Sequence, residues 1–353
     1  MNRFQIRVPG LLAMVLSGFV AVQPATLAAL SGNGTGIVPY NDCASENNGP
    51  DRISEFKKIC GIREVGFALD EMLGLNRPND GQDLFIGEQG AYTVKSRESL
   101  RLIAAKLGVS ADYLIRFNLL NYRKPVAAGQ TLAYDNVRII PKKVENGILV
   151  NIPDRRLYFF RNGRLDYSAP VALGTVLKSE KFNWQTPTGR FRILAKYKDP
   201  TWYVPPSIQS EMEEMNREVI TFVPPGPSNP LGRYAMKTSI PGILIHSTSK
   251  PWSINTYSSH GCVRMYPEHM EELFKRVSAN EPGEIIYNPV KLAVTAKGGI
   301  FLEVQPDIYE RYSDIAREVR SLILKKNLRE KVDWLKVKKI VKQCDGIPHD
   351  ISN

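Results

Sequence analysis

At 353 residues the chain is too long for one ordinary domain, and two or three are expected. Its 43% hydrophobic and 24% charged composition is that of a folded protein with material for a real core. The net charge of +11 fits a basic solvated surface or attraction to a polyanion; without zinc-finger spacing or an aromatic–basic RNA motif, nucleic acid is not the expected partner.

Arg3 and Arg7 precede an apolar run at residues 11–22, and small residues follow at Ala25, Ala28 and Ala29. Residues 1–29 read as a secretory signal, the alternative being an uncleaved membrane anchor. Either one exports the remainder, where cell-wall peptide carboxylates and lipid phosphates are the anions that fit the charge. Export also permits disulfides. Cys43 and Cys60 both fall in an N-terminal extension, residues 30–88, and either pair or remain free thiols. Residues 30–50 are rich in Gly, Ser, Asn and Pro, and residues 76–90 again carry turn residues and read as a linker.

A compact unit follows, over residues 89–142. Tyr92-Thr93-Val94 reads as a strand. Leu100, Ile103, Ala104 and Leu107 recur at one-face helical spacing, and Gly108 stops that helix. Ser110 caps a second helix containing Leu114 and Phe117, and Gly129-Gln130-Thr131-Leu132 leads into a closing strand. The βααβ order resembles a LysM domain through these residues together with Glu98-Ser99-Leu100, Asn118 and Ile140-Pro141. The resemblance implies binding of N-acetylglucosamine-containing glycans. Glu98 stands where aspartate is commoner, and residues 133–138 separate the closing strand from Ile140-Pro141.

From residue 143 to 290 the texture is β. Ile148-Leu149-Val150-Asn151-Ile152 and Leu157-Tyr158-Phe159-Phe160 are strand-like, and Asn162-Gly163 marks a hairpin turn that needs positive φ. Further strands are read at Val171-Ala172-Leu173, Phe191-Arg192-Ile193-Leu194 and Ile243-Leu244-Ile245, with helices near residues 208–217 and 268–277. Residues 291–353 form a C-terminal strand and helical appendage. Ile300-Phe301-Leu302-Glu303-Val304 is its strand; Ile308, Tyr312, Ile315, Val319 and Leu322 trace one helix stripe and residues 334–341 another. Cys344 continues the second stripe and is read as filling an apolar face.

The chemistry concentrates in residues 245–265. The chain has four His and four Cys, and His246, His260 and Cys262 all fall within this short stretch. Cysteine is the best neutral-pH side-chain nucleophile once something takes its proton. His246 ends an apolar strand that would hold it firmly. Gly261 lets the loop approach a substrate without a Cβ in the way, and the Cys262 N–H can stabilise an oxyanion. His269 and His349 read as structural or solvated. No metal-ligand cluster is visible, and no cofactor is expected.

Residues 143–290 resemble the Gram-negative type of L,D-transpeptidase (YkuD) catalytic domain. The matching segments are Leu157-Tyr158-Phe159-Phe160, Val171-Ala172-Leu173-Gly174, Thr186-Pro187-Thr188-Gly189-Arg190-Phe191, Pro200-Thr201-Trp202, Asn229-Pro230-Leu231-Gly232, Ile245-His246-Ser247-Thr248 and Ser259-His260-Gly261-Cys262-Val263-Arg264-Met265. The resemblance implies a mainly β, sandwich-like catalytic domain in the periplasm, acting on peptidoglycan. It makes Cys262 the nucleophile and His246 its base, oriented by a backbone carbonyl, with Ser259, His260 and Gly261 building the active-site loop. A guanidinium at Arg264 suits a substrate carboxylate, the alternative being an internal salt bridge. Ser247 stands where glycine is common, and Tyr257 and Trp252 are candidate substrate-binding aromatics by loop placement. The implied reaction is acyl transfer from the third residue of a tetrapeptide stem to an amine of another stem, a lipoprotein lysine or water, with acylation by carbapenems. Against it stand a non-catalytic wall-binding protein and an NlpC/P60-type hydrolase; in the latter the cysteine usually precedes the histidine, whereas here the base comes first.

Overall fold

The computed structural model describes residues 84–96, 98–176 and 181–353. The expected signal, most of the N-terminal extension, and Cys43 and Cys60 lie outside them.

The first unit opens with β1 (Phe85–Ile86) and β2 (Gln89–Thr93), so the stretch read as linker already contains strand. It continues through α1 (Leu100–Leu107) and α2 (Ala111–Phe117) to β3 (Thr131–Asp135) and β4 (Arg138–Ile139). β2 pairs antiparallel with β3, and β1 with β4. The serines before both helices act as N-caps: Ser99 accepts the Leu102 amide and Ser110 that of Tyr113. Gly108 ends α1 at φ 68°, where a side chain would be strained. The apolar stripe of α1 turns inward, and Ile103, Ala104, Leu114 and Leu132 form the core. Glu98, the unusual residue here, is well partnered. Burial alone would raise its carboxyl, but it pairs with Lys106 and accepts from the Lys95 amide and the Tyr92 hydroxyl, which hold it down to about 2. A groove of about 260 Å³ runs between Glu98-Ser99-Leu100 and residues 120–126.

The β domain contains β5 (Gly147–Asn151), β6 (Arg156–Arg161), β7 (Arg164–Gly174), β8 (Gly189–Lys198), β9 (Trp202–Tyr203), α3 (Pro206–Glu214), β10 (Phe222–Val223), β11 (Tyr234–Thr238), β12 (Leu244–His246), β13 (Tyr257–Ser259), β14 (Val263–Met265), α4 (Pro267–Arg276) and β15 (Pro282–Ile286). Asn162 and Gly163 both take positive φ at the β6–β7 turn, as the dipeptide predicts. The large sheet runs β13-β7-β14-β12-β11-β8-β15-β5-β6, and β6 also pairs with β7. β7 achieves this by dividing its length: its first part pairs with β6, Val171 and Ala172 with β14, and its last residues with β13. The expected sandwich is therefore met only as a mainly β domain, because one sheet closes on itself like a barrel. Alternation sends Ile148, Val150, Leu157 and Phe159 into the main core, while Leu149, Tyr158 and Phe160 pack outward beneath Ile86 and Ile140.

The last unit is an antiparallel sheet of β16 (Val290–Val294), β17 (Ile300–Val304) and β18 (His349–Asp350), with α5 (Ile315–Lys325) and α6 (Trp334–Gln343) packed on it. Ile308 and Tyr312, read as part of the α5 stripe, precede the helix. Asp307 instead accepts the amides of Arg311 and Tyr312, holding that segment outside helical geometry. Cys344 sits at the end of α6 against the same core, as its spacing suggested.

The three units meet over a buried ionic cluster. Lys291 lies 2.7 Å from both Asp154 and Glu303, and these side chains are 1%, 0% and 0% exposed respectively. Tyr158 donates to Asp154 and Gln305 to Glu303. The second Glu303 oxygen accepts the Ile139 amide at 2.6 Å, tying β4 to β17. Among the described residues no helix is long and apolar enough to cross a membrane.

Candidate active site

His246 and Cys262 are brought together by strand register. β12 and β14 pair in parallel, with Ile245 opposite Val263 and His246 opposite Arg264. Ile245, Val263 and Met265 face the barrel core. Alternation therefore places Leu244, His246, Cys262 and Arg264 on the other face, with cysteine and histidine one diagonal step apart.

The imidazole is buried, and its Nδ1 lies 2.5 Å from the Ser247 carbonyl oxygen. A carbonyl only accepts, so Nδ1 carries the proton and Nε2 is left basic. Burial, aided by the Arg264 charge, lowers the imidazole to about 3 against the pull of the Ser247 and Leu231 carbonyls. Backbone carbonyls thus occupy the place an aspartate would take. The Cys262 thiol is raised by burial, partly offset by the Leu244 amide and Arg264. Its hydrogen-bond partners are the Leu244 amide at 3.4 Å and the Gly242 carbonyl at 3.5 Å, rather than the imidazole.

The loop before Cys262 is stapled from within. Ser259 Oγ donates to the Cys262 carbonyl at 2.6 Å and accepts the Gly261 amide at 3.2 Å. Gly261 has φ 102°, and a Cβ there would crowd Ile243 at 3.2 Å. His260 points to the insertion between β8 and β11, where its Nε2 lies 2.9 Å from Glu211 on α3, and Trp184 meets its ring edge-to-face. Arg264 donates to the Ser258 carbonyl, but its buried Nε has no partner. Among the described residues no carboxylate pairs with it, so the internal salt bridge weighed as its alternative is not found.

The side chains of the other candidates make contacts of their own. The Tyr257 hydroxyl donates to the Ile152 and Pro153 carbonyls, an occupation that leaves no donor for a substrate. Trp252 is half-exposed on a short 3-10 turn, Pro251–Ser253, that packs against α1. Ser247 is buried against Gly232, where any Cβ would lie 2.7 Å from that of the serine. His269 is a half-buried helix residue between Tyr167 and Tyr266, and His349 pairs with Asp345. Among the described residues no group of His, Cys, Asp and Glu could hold a metal ion.

Two residues beside the loop carried no sequence signal for this role. Thr186 is fully buried; its hydroxyl donates to the Gly261 carbonyl at 2.9 Å and accepts the Gly174 amide at 2.8 Å. Tyr309, from the segment after β17, donates to the Gly174 carbonyl and accepts the Thr186 amide. Thr186→Val keeps the shape and removes both hydroxyl bonds. Because misplacement by an ångström can cost roughly 100-fold, its rate of thiol acylation is expected to fall by about 10- to 100-fold, with Thr186→Ser restoring most of it. Equal acylation rates in all three proteins would remove Thr186 from loop positioning.

Comparison with known proteins follows the same division of the chain. The L,D-transpeptidase catalytic domain (YkuD) matches residues 145–290, and the LysM domain matches residues 92–133. "Probable L,D-transpeptidase YbiS" of Escherichia coli K12 is 26% identical over 282 residues, 77% of this chain and 89% of that protein. "Probable L,D-transpeptidase ErfK/SrfK" of the same strain is 26% identical over 287 residues, 78% and 90% of the two chains. Among solved structures, L,D-transpeptidase 3 from Mycobacterium tuberculosis aligns with a TM-score of 0.31 and 14% identity, covering 46% of this chain and 76% of that one.

Proposed function

We propose that the chain, which carries an L,D-transpeptidase catalytic domain with a LysM domain ahead of it, is an acyltransferase that rebuilds peptidoglycan in the periplasm of a Gram-negative-type bacterium through Cys262 and His246. The observation that carries this reading is the shared face of β12 and β14, which sets a thiol beside a neutral, carbonyl-held imidazole.

The resting pair is thiol and imidazole, since burial pushes the one up and the other down. Proton transfer to Nε2 accompanies attack of Sγ on the diaminopimelate carbonyl of a tetrapeptide stem. The Cys262 N–H serves the oxyanion. D-alanine leaves with the proton held on His246, and a thioester remains. An acceptor amine then attacks, gives its proton to His246, and releases Cys262 as the thiol. A stem amine yields a 3→3 cross-link, a lipoprotein lysine an anchored lipoprotein, and water a tripeptide. Arg264, buried at one nitrogen and without a carboxylate partner among the described residues, suits the stem carboxylate. Ser259, His260 and Gly261 shape the loop. Neither metal nor cofactor is required.

We read the working divisions as signal 1–29, extension 30–88, LysM 89–142, catalytic 143–290 and appendage 291–353. The groove beside Glu98, with the exposed Tyr122 on its rim, would take the glycan. The test is muropeptide analysis with two substrates, a soluble tetrapeptide donor and intact sacculi. The native protein should convert tetrapeptide stems in both and reveal its acceptor. Tyr122→Ala should keep the soluble reaction and slow that on sacculi by about tenfold, the loss of roughly one aromatic contact. Removing the whole LysM unit would be a poorer test, because it also strips the Ile139 amide from Glu303. No D-alanine release from either substrate would refute the reading.

A further inference from the structure

The basic charge of the chain is not spread evenly. Residues 315–343, spanning α5 and α6, carry ten lysines and arginines against three acids, a surplus of seven within a chain of net +11. All ten are exposed. The one ion pair they make with a carboxylate among the described residues is Arg329 to Glu330, at 3.4 Å on the surface. A solvated helical face would account for the charge by itself, but it would not account for the apolar side chains set into it.

Leu335 is 80% exposed, Leu324 42% and Trp334 39%. On α6, Leu335 shares one stripe with Lys338, Lys339 and Lys342, at i, i+3, i+4 and i+7. The opposite face, through Val337 and Ile340, fills the core. Beside the stripe, Arg320, Leu324, Arg329 and Trp334 line a groove of about 240 Å³. Cations ringing exposed leucine and tryptophan fit a surface that is anionic outside and apolar beneath. A soluble polyanion would satisfy the cations but leave Leu335, Leu324 and Trp334 wet.

We propose that the outer face of α5 and α6 docks on an anionic phospholipid membrane surface, with Leu335 and Trp334 at the headgroup boundary and the lysines on lipid phosphates. The attachment is peripheral and weakened by salt. It is independent of the catalytic assignment.

The experiment is vesicle co-sedimentation of the chain without residues 1–29, so that the apolar run at residues 11–22 cannot bind lipid itself. Vesicles of phosphatidylcholine alone are compared with vesicles containing phosphatidylglycerol. The protein should sediment with the second and not the first. Each cation near such a surface is worth roughly fivefold, so Lys338→Gln, Lys339→Gln and Lys342→Gln combined should weaken binding by about 100-fold. Leu335→Ser should weaken it by about tenfold, roughly the worth of a buried aliphatic side chain, with an unchanged unfolding midpoint in both variants. Failure to sediment, or unchanged sedimentation of the triple lysine variant, overturns the proposal. So does retention on heparin as strong as on vesicles with no effect of Leu335→Ser, which would mark a site for a soluble polyanion.

Discussion

Cys262→Ala is expected to abolish both the covalent adduct formed with a carbapenem, read by intact mass, and the release of D-alanine from a tetrapeptide, while unfolding at the native midpoint. His246→Gln should retain the adduct but form it about 10²- to 10⁴-fold more slowly, the usual worth of a general base. The pH dependence separates this site from an ion-paired one. Burial and the Arg264 charge put the imidazole at about 3, so it is neutral throughout the physiological range, with its Nε2 lone pair free to accept a proton. Burial raises the thiol. The rate of adduct formation should therefore climb with pH on the alkaline side and show no inflection near 6.5. Arg264 lowers both groups, so Arg264→Gln should shift the thiol limb to higher pH and bring the imidazole up toward its ordinary value. An adduct on the alanine variant would remove Cys262 from its role, and a native acid limb centred near 6.5 would contradict the neutral pair.

The second large effect is on stability. Lys291→Met removes the cation that bridges Asp154 and Glu303 in a fully buried site, leaving Arg138 and Arg156 as the remaining nearby positive charges. Breaking such a cluster costs about 3–5 kcal/mol, chiefly because the remaining charges are uncompensated. Urea unfolding should show a loss of that order. Adding Asp154→Asn and Glu303→Gln removes both stranded charges and should recover more than half of it, a non-additivity expected of groups in one network. A loss below about 1 kcal/mol for Lys291→Met, or no recovery in the triple variant, would mean the cluster is electrostatically unimportant.

Features governed by local chemistry were legible in the sequence. The Asn162-Gly163 turn, the α1 stripe ending at Gly108, and the Ser110 cap each depend on a few adjacent residues. The His246 and Cys262 positions stood out because scarce residue types fell close together. Their common face followed only once Ile245 and Val263 were in register, because parallel pairing across an intervening loop leaves no local trace. Ile308 and Tyr312 kept helical spacing but lost the helix to Asp307, whose carboxylate captures the nearby amides. Tyr257 and Trp252 were chosen by proximity in sequence, yet the direction of an aromatic side chain is set by tertiary packing. Thr186, Glu211 and Tyr309 come from separate segments and meet the loop only in the folded chain. Barrel closure was illegible for a similar reason: β6 and β7 would form the same hairpin in an open sheet.

The parallel pairing of β12 and β14 also separates two properties that usually change together. His246 and Cys262, the proposed base and nucleophile, are each held at the end of a paired strand, and the connection between them, through the 3-10 turn and β13, does not set their separation. The register, rather than the length of the 3-10 segment, therefore sets the distance between them, while Ser259 and Gly261 hold the last turn before Cys262. A shift of β14 by one residue would instead turn Cys262 inward and silence the enzyme.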